Sequence, residues 1–360
     1  MQRETSSDLR PVIRKLVSRN DLSEQEINIS MGLILGGKAT DAATASFLVA
    51  LAMKGETSEE INAVVKAVKG CSIQITPTVR NGLVDTCGTG GDTLRSFNIS
   101  TAAAVIASAA GCNVAKHGNR SVSGFCGSAD FFKFIGMDME TSPRKISDTI
   151  EHTGLGFLFA PMFHPALRSV SSLRRSIGIR TILNIVGPLS NPCTNLSGQL
   201  VGVYDQSLLE TIASAMRGTH LDGFMVVHSR DGFDELSNTC ENDILWLVDN
   251  QIKRFKLHPK ILDLPVTQPE RLLVHTAEDS IRDTLQVIYG LANPEKEDIA
   301  VLNASAVLVI GKIAKDLTEG VEIARASIKD GGPQRKLSEL IQRCGDTSKL
   351  KEAERKFLLN

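Results

Sequence analysis

The feature that most constrains this sequence is the stretch from Gly88 to Asp130, which combines glycine-rich turns with polar and charged residues. It reads GTGGDTLRSFNIS, then an alanine-rich run, then VAKHGNRSVSGFCGSAD. Glycines let a backbone approach a ligand closely, and successive exposed N–H groups in such turns bind anions. A protein core rarely needs this mixture of residues, whereas a site for a charged ligand does. The stretch therefore predicts an anion-binding site.

The first half of this stretch predicts a strand, a turn and a helix. Residues 82–87 form a short apolar run, GTGG follows at once, and residues 102–110 are helical by composition. Asn98, Ser100 and Thr101 lie where helix caps lie, and the positive end of a helix dipole suits phosphate. An ordinary tight connection explains GTGG alone equally well, because a lone glycine-rich loop is a weak signal.

The second half repeats the arrangement with a strand at 113–116 and a loop at 117–124. Loops at the carboxyl ends of strands are where α/β sheets bind ligands, and Lys116 and Arg120 supply cationic donors for phosphate. A solvated basic loop is the alternative, but two phosphate-type loops in one βαβ unit count against it. The stretch matches neither GxGxxG nor GxxxxGK[ST], which argues against a dinucleotide fingerprint and a P-loop.

The bulk composition limits the class of protein. A chain of 360 residues suits two domains, and a net charge of −1 gives no reason to expect nucleic acid or a membrane as the main partner. The seven cysteines are scattered without a CxxC pair, which favours reduced, cytoplasmic thiols over a zinc module. The first residues are polar and charged, so we expect no signal peptide, and the longest apolar runs are too short to span a membrane.

The order of predicted elements divides the chain into two parts. Residues 1–75 are predicted to form a small all-helical domain, completed by helical segments near 165–190. Residues 76–360 are predicted to form an α/β domain with a mainly parallel sheet flanked by helices. Its expected strands are 84–87, 114–116, 156–160, 200–204 and 223–228. We also expect a hairpin over 248–256 and one long helix over 298–317.

A polar cluster downstream contains His164 and the adjacent Arg174 and Arg175. Adjacent residues point about 100° apart on a helix, so only one of the two arginines can face a cleft. On this pattern alone, solvated arginines and a structural histidine are favoured.

A second cluster, DGFDE, follows the strand that ends at His228. The adjacent carboxylates of Asp234 and Glu235 repel each other unless a cation or water lies between them. Mg²⁺ binds one or two carboxylates and takes substrate phosphates as further ligands, so this position suits it. An acidic surface turn is the alternative.

Taken together, GTGGD, FNIST, KHGNRSVS and GSAD resemble the anthranilate phosphoribosyltransferase family. GLGFLFAP, HPA, RR, GIRT, GPLSNP, GVY, VVH and DGFDE follow in the order that the family has, so the resemblance spans most of the chain. It implies transfer of the 5-phosphoribosyl group of phosphoribosyl diphosphate (PRPP) to the amine of anthranilate in tryptophan biosynthesis. It also implies a cytoplasmic homodimer joined through the helical domain, with no nucleic-acid or membrane partner.

The resemblance assigns residues to each ligand. For PRPP it implies Gly88, Gly91, Asp92, Ser96, Asn98, Ile99, Ser100, Thr101, Lys116, His117, Gly118, Asn119, Arg120, Ser121, Val122, Ser123, Gly124 and Ser128. For anthranilate it implies Gly88, Asn119, His164 and Arg174, with Arg174 as the ligand of the carboxylate. For two Mg²⁺ ions it implies Ser100, Asp234 and Glu235. No residue is predicted as a general acid or base, because positioning and electrostatics suffice.

Some positions depart from the family pattern. Thr93 stands where glycine is usual, Leu94–Ser96 replaces the usual approach to FN, and Gly124–Cys126 replaces small polar or basic residues. We expect Phe125 and Cys126 to remove polar contacts from the diphosphate loop, which affects loop closure and substrate affinity more than the reaction itself.

Two other functions share parts of this pattern. A pyrimidine-nucleoside phosphorylase shares the architecture and a similar glycine loop, but KHGNR and DGFDE argue against it. A non-catalytic paralogue that binds nucleic acid would need a basic groove or lost metal carboxylates, and the balanced charge argues against that.

Overall fold

The computed structural model of the protein describes residues 8–90, 94–121 and 124–359. Its first part is helical, as predicted, and consists of α1 (Arg10–Val17), α2 (Glu24–Leu35), α3 (Asp41–Lys54) and α4 (Ser58–Gly70). Ser23 and Thr57 begin α2 and α4 with capping boxes, in which the side chain and a glutamate three residues later satisfy free N–H groups. Local sequence therefore sets where these helices begin.

A seven-stranded sheet forms the centre of the second part, in the order β3-β2-β1-β4-β5-β6-β7. The strands are β1 (Leu83–Gly88), β2 (Asn113–Gly118), β3 (Leu155–Phe159), β4 (Leu196–Gly202), β5 (Gly223–Ser229), β6 (Asn242–Val248) and β7 (Gln251–Leu257). Neighbours from β3 to β5 are parallel, and β6 and β7 are antiparallel. The mainly parallel sheet of the predicted fold class is thereby confirmed.

Helices cover both faces of this sheet. They are α5 (Ile99–Ala109), α6 (Ser128–Phe134), α7 (Pro143–Thr153), α8 (Ala160–Phe163), α9 (Arg168–Ile177), α10 (Ile182–Leu189), α11 (Leu208–Arg217), α12 (Ala277–Ile288), α13 (Pro294–Ile310), α14 (Leu317–Lys329), α15 (Gly332–Cys344) and α16 (Thr347–Phe357). On one face the buried helices α5 and α13 pack against each other and against β1. On the other face α11 packs against β5 and also contacts α4 of the helical part.

The segment around residues 165–190 joins the two parts of the molecule. α9 contacts α2 and α3, and α10 contacts α3 and α4. Ile182 and Val186 of α10 share one apolar cluster with Phe47 and Val64 of the helical part. The division of the chain at residue 75 itself stays a prediction.

Several predicted boundaries are wrong. β4 begins at Leu196 rather than at 200, and its buried Gln199 is held by a partner that no local pattern reveals. The hairpin turns at Asp249 and Asn250, which both have positive φ, and its first strand is longer than expected. The helix expected over 298–317 ends at Ile310, because Gly311 and the positive φ of Lys312 stop it.

The structure also bears on membrane-spanning helices and on the state of the cysteines. None of the helices in the described part of the chain is long and apolar enough to cross a membrane. All seven cysteines are free thiols.

Candidate active site

The candidate site lies at the carboxyl ends of β1 and β4. The chain runs from β1 through β2 to β3 on one side and then returns to β4 on the other, so a crevice opens between β1 and β4. The N–H of Thr89 donates to the carbonyl of Gly202 at 2.9 Å, which ties the glycine-rich turn after β1 to the end of β4. The first predicted anion-binding turn therefore opens at the crevice where α/β sheets bind ligands.

Asp234 reaches this turn from the loop after β5. Its Oδ2 accepts a hydrogen bond from the N–H of Gly90 at 2.6 Å. A Cβ atom at Gly88 would lie 2.1 Å from Asp234 Oδ2, and one at Gly202 would lie 1.7 Å from the carbonyl oxygen of Asp234. Glycine at Gly88 allows the carboxylate of Asp234 to come so close, and glycine at Gly202 allows the same for its backbone carbonyl. The structure thus brings a predicted metal ligand against the predicted donor-binding turn.

The carboxylate pair is held in a buried loop. Asp234 and Glu235 are only 8% and 9% exposed. Burial raises the pKa of Asp234, and the hydrogen bond from Gly90 opposes that rise. The next residue, Leu236, has its N–H and carbonyl bound at 3.0 and 2.8 Å by the side-chain amide of Asn303 on α13. The pair is therefore positioned by the core of the large part.

Asp231 secures the other end of this loop. Its carboxylate accepts hydrogen bonds from the hydroxyls of Ser229 at 2.5 Å, Ser237 at 2.8 Å and Thr239. A carboxylate so engaged orders the loop rather than binding a ligand. The sequence signal for this role is the group of hydroxyl residues that surrounds DGFDE, and sequence reasoning missed it.

Lys116 is buried beneath the glycine-rich turn. Its Nζ donates to the carbonyl of Thr86 at 2.8 Å and to Oγ of Ser100 at 3.1 Å. Burial lowers the pKa of Lys116, while the nearby carboxylates, with Asp85 the strongest, favour its charged form. The predicted donor-binding lysine and the predicted metal-binding serine are therefore in contact.

Asp85, in the middle of β1, is a residue that sequence reasoning missed. One carboxylate oxygen accepts from the N–H groups of Thr86 at 2.8 Å and His117 at 3.1 Å. The other accepts from the side-chain amides of Asn191 at 2.9 Å and Gln199 at 3.2 Å. Burial raises the pKa of Asp85. An acidic residue inside the apolar run LVDTC was the available signal, since a buried charge needs partners.

The second predicted phosphate loop, after β2, is tied to the beginning of α6. The N–H of Ser121 donates to Asp130 at 3.1 Å, and the guanidinium of Arg120 pairs with Asp130 at 3.4 Å. The carbonyl of Asn119 accepts from Oγ of Ser128 at 3.4 Å. Asp130 thus engages the arginine that was expected to bind phosphate.

The remaining residues predicted to bind PRPP lie at several places on the two loops and the elements beside them. Gly91, Asp92, Val122 and Ser123 lie outside the described residues, as does Thr93. Ser96 forms an isolated bridge with Leu273, Gly118 ends β2, and Ile99 is buried at the start of α5. Gly124 accepts a hydrogen bond at its carbonyl from Oγ of Ser121 at 2.7 Å.

The predicted capping roles before α5 are wrong. Asn98 stands at the N-cap position, but its side chain makes no capping hydrogen bond. Its Nδ2 instead donates to Oγ of Ser280 at 3.2 Å and to Sγ of Cys126 at 3.6 Å. Ser100 and Thr101 lie inside the first turn of α5. The side chain of Asn98 therefore links α5 to α12 and to the second loop.

Two departures from the family pattern contact each other. The guanidinium of Arg95 lies 4.8 Å from the centre of the Phe125 ring, which is a cation–π distance. The two glycine-rich loops are thereby joined by side chains. The expected effect of Phe125 and Cys126 on affinity stays a prediction.

His164, a predicted acceptor residue, forms a buried pair with His117, which was predicted to bind PRPP. The rings of His117 and His164 lie 5.1 Å apart, centre to centre. Burial lowers the pKa of His117 well below its usual range and that of His164 to about 4. The backbone near Ser190 favours the charged form of His164, yet neither ring nitrogen makes a hydrogen bond of ordinary geometry with a described residue. We therefore take both rings as neutral groups with unused hydrogen-bonding capacity.

Arg174 lies on α9, half-buried, and burial lowers its pKa. Arg175 beside it is exposed. The expectation that only one of the two arginines can face a cleft agrees with this difference in burial. The contact of Arg174 with a carboxylate stays a prediction.

Buried hydroxyls without partners accompany these residues. The Oγ1 atoms of Thr86, Thr89, Thr101 and Thr181 are buried and have no hydrogen-bond partner among the described residues. An unpaired buried polar atom costs free energy, so such atoms commonly mark where a ligand or water binds. Their position on β1, its turn, α5 and the start of α10 supports a polar ligand at the crevice.

The donor set suits magnesium. Two buried carboxylates, Asp234 and Glu235, and the hydroxyl of Ser100 are oxygen ligands, which Mg²⁺ prefers. In residues 8–90, 94–121 and 124–359, no group of three His, Cys, Asp or Glu side chains could enclose a metal ion by itself. The residues fit an ion that takes further oxygens from a substrate phosphate.

Comparison with known proteins decides the family. Residues 10–70 match the family described as "Glycosyl transferase family, helical bundle domain", and residues 80–334 match "Glycosyl transferase family, a/b domain". An anthranilate phosphoribosyltransferase from Acetivibrio thermocellus is 39% identical over 334 residues, 93% of this chain and 96% of the relative. The chain belongs to the anthranilate phosphoribosyltransferase family. The predicted family resemblance is therefore confirmed.

Solved structures of this family share the fold. The anthranilate phosphoribosyltransferase of Thermus thermophilus has a TM-score of 0.86 and 32% identity, over 92% of this chain and 98% of that one. The enzyme of Saccharomyces cerevisiae in complex with PRPP and Mg has a TM-score of 0.84 and 26% identity, over 93% and 97% of the two chains. The predicted arrangement of a helical domain followed by a larger α/β domain is confirmed.

Proposed function

We propose that this protein transfers the 5-phosphoribosyl group of PRPP to the amine of anthranilate. The products are N-(5-phosphoribosyl)anthranilate and diphosphate, in the synthesis of tryptophan. The observation that carries the proposal is the contact between Asp234 and the N–H of Gly90. It unites an acidic loop and a glycine-rich turn at the crevice beside β1, in a member of a family whose relatives are named for this reaction.

The donor is bound by the two glycine-rich loops and the elements beside them. The glycine-rich turn that begins at Gly88 and the start of α5 lie beside the phosphates, which suit the positive end of a helix dipole. Asn98 and Lys116 orient the ribose and phosphates from below. The proposed set is the one that the sequence indicates: Gly88, Gly91, Asp92, Ser96, Asn98, Ile99, Ser100, Thr101, Lys116, His117, Gly118, Asn119, Arg120, Ser121, Val122, Ser123, Gly124 and Ser128.

The acceptor is bound beside the histidine pair. Arg174 pairs with the carboxylate of anthranilate, since guanidinium geometry favours a bidentate contact with a planar carboxylate. His164, Asn119 and Gly88 line the same pocket. A half-buried guanidinium is expensive to leave unpaired, which supports this role for Arg174.

Ser100, Asp234 and Glu235 would hold Mg²⁺, and two ions fit the family. When bound, magnesium neutralises charge on the leaving diphosphate. The chain itself needs no strong base, because an aryl amine is already neutral at pH 7. Positioning and fixed hydrogen-bond donors then supply most of the rate enhancement.

The chain acts as a homodimer through its helical part. Val17 and Met53 are 70% and 66% exposed at the ends of α1 and α3. The guanidinium of Arg19 donates to the carbonyl of Met53 at 3.0 Å and holds these two ends together. Exposed apolar side chains at one place on a surface are typical of an interface. A cytoplasmic location, and a domain boundary at residues 75 and 76, belong to the same proposal.

The direct test is the loss of anthranilate fluorescence when the protein is mixed with PRPP and Mg²⁺. We expect a loss that requires all three components and that nearly disappears in Asp234→Asn. The matched control is Asp222→Asn, which removes an exposed carboxylate just before β5. Unchanged fluorescence, or phosphorolysis of thymidine or uridine instead, would contradict the proposal.

A further inference from the structure

The positive charges around the crevice are engaged to different degrees. The ammonium group of Lys116 donates hydrogen bonds to Thr86 and Ser100, and the guanidinium of Arg120 is paired with Asp130. Arg180, on the segment between α9 and α10, makes no hydrogen bond or ion pair among the described residues, although its charge acts on the nearby carboxylates of Asp205 and Asp234. It is therefore an arginine with its full set of N–H donors available.

Arg180 is nevertheless held in place. Its guanidinium lies 3.6 Å from the centre of the Tyr204 ring, a close stacking contact. Stacking on an aromatic face orients a guanidinium and leaves its in-plane N–H donors free. The backbone beside it is fixed as well, because Thr181 is buried and its N–H donates to Oδ1 of Asn184 at 3.1 Å. The side chain is thus exposed but preorganised.

Tyr204 places this guanidinium at the mouth of the site. It follows Gly202, the residue at which β4 ends. Gly202 touches both halves of the site, since its carbonyl accepts from Thr89 and its Cα lies against the carbonyl of Asp234. Arg180 therefore stands close to Asp234 without forming an ion pair with it, and its positive charge opposes the rise that burial causes in the pKa of Asp234.

A magnesium diphosphate has the chemistry that suits this gap. Its metal face requires carboxylates, which Asp234 and Glu235 supply, and its remaining phosphate oxygens require cationic donors. We infer that Arg180, stacked on Tyr204, binds the diphosphate of PRPP from the side of the cleft opposite the glycine-rich turn. This inference deepens the proposed function and rests on it for the identity of the donor.

The role differs from that of Arg174 on the same segment. Arg174 is half-buried and assigned to the acceptor carboxylate, whereas Arg180 is exposed beside the metal-binding loop. The two arginines should therefore respond to different substrates. Removing Arg180 affects the donor and released diphosphate, and removing Arg174 affects anthranilate.

The test is calorimetric binding of magnesium diphosphate to the full chain, which needs no turnover. We expect Arg180→Gln to weaken binding about tenfold or more, as for loss of a charge-assisted hydrogen bond. Arg180→Lys should recover part of the loss, since it keeps the charge without the planar stack. Tyr204→Phe should match the wild type, and Tyr204→Leu should resemble Arg180→Lys. Arg175→Gln, which removes an exposed charge from α9, is the matched control and should bind normally.

Steady-state kinetics supply the second readout. Arg180→Gln should raise KM for PRPP about tenfold and leave KM for anthranilate within about twofold, and Arg174→Gln should do the reverse. Normal diphosphate binding by Arg180→Gln, absent binding by the wild type, or a change in KM for anthranilate alone would overturn the inference. If the wild type binds magnesium diphosphate through Arg180 but never consumes anthranilate, the proposed function fails and the role of Arg180 stands.

Discussion

At the scale of residues, the site depends on ionisable side chains that the fold has taken out of water. His117 and His164 lie in contact and remain neutral because burial disfavours their charged forms. The charges of His164 and Lys69 act against protonation of His117, and the charge of Lys69 also acts against protonation of His164. The pair therefore makes the stability of the protein depend on pH.

We expect the free energy of unfolding to fall as the pH is lowered from 6.5 toward 4, the range between the ordinary pKa of histidine and that of His164 in the fold. In this range the unfolded state binds the proton that the folded state refuses, so acid favours unfolding by up to roughly 3 kcal/mol. His117 acts in the same direction. Asp85 and Asp234 act in the opposite direction, because burial raises their pKa values.

The measurement is urea unfolding across this pH range for the wild type and His164→Gln. The variant should lose less stability on acidification, and the exposed His152→Gln should behave as the wild type does. Parallel curves for the wild type and His164→Gln would show that His164 is not the group responsible.

At the scale of elements, two strand ends and one loop interlock. β1 ends in the glycine-rich turn, β4 ends at Gly202, and the loop after β5 inserts Asp234 between them. Asn303 on α13 holds this loop by a hydrogen bond to Leu236, and Asp231 holds it by accepting from the hydroxyl of Ser237 in the same loop. The position of the carboxylate pair therefore depends on how closely the backbones approach.

Gly202→Ala tests this interlock. The new Cβ would lie 1.7 Å from the carbonyl oxygen of Asp234, so the loop must move. We expect a loss of about 1–3 kcal/mol in stability, as for other overpacked sites, and a weaker response of activity to Mg²⁺. Thermal unfolding and a magnesium titration of the rate measure the two effects.

The matched control is Gly32→Ala in α2, where a Cβ meets nothing within 4 Å. Alanine in a helix interior should be neutral or stabilise the protein by roughly 0.5–1 kcal/mol. Equal behaviour of the two variants would mean that close approach at Gly202 is unimportant.

At the scale of the whole molecule, the segment that carries both arginines also joins the two parts. α9 and α10 pack on the helical part, while Asn191 just beyond them donates to Asp85 in β1. The proposed acceptor side and the proposed donor side of the site are therefore connected through the buried carboxylate of Asp85. The exposed ends of α1 and α3 lie in the same helical part, so association there would support the acceptor side.

We expect the wild type to be a dimer at micromolar concentration and Val17→Glu/Met53→Glu to be monomeric. Two buried charges without partners would disfavour an interface formed by these side chains. Light scattering coupled to size-exclusion chromatography gives the mass of each. Leu291→Glu, at another exposed apolar residue, should remain dimeric. A monomeric wild type would refute the proposed dimer.

Sequence reasoning succeeded where a pattern is local. The helical character of residues 1–75 was recognisable, and the apolar strands β1, β2 and β5 lie close to their expected bounds. It failed where a side chain has a distant partner. Asn98 was expected as a cap and its side chain instead donates to Ser280. β4 begins before residue 200, and its polar Gln199 is buried there with the carboxylate of Asp85 as its partner.

By itself, the sequence determined the order of helices and strands, the parallel sheet and the family, because glycine positions, caps and apolar periodicity act over a few residues. Only the tertiary structure decided that Asp234 meets Gly90, that Asp85 joins three strands and that Arg180 stacks on Tyr204. Each of these contacts joins residues far apart in the chain. Their free energy depends on burial and on the approach of separate backbones, which no short window of sequence records.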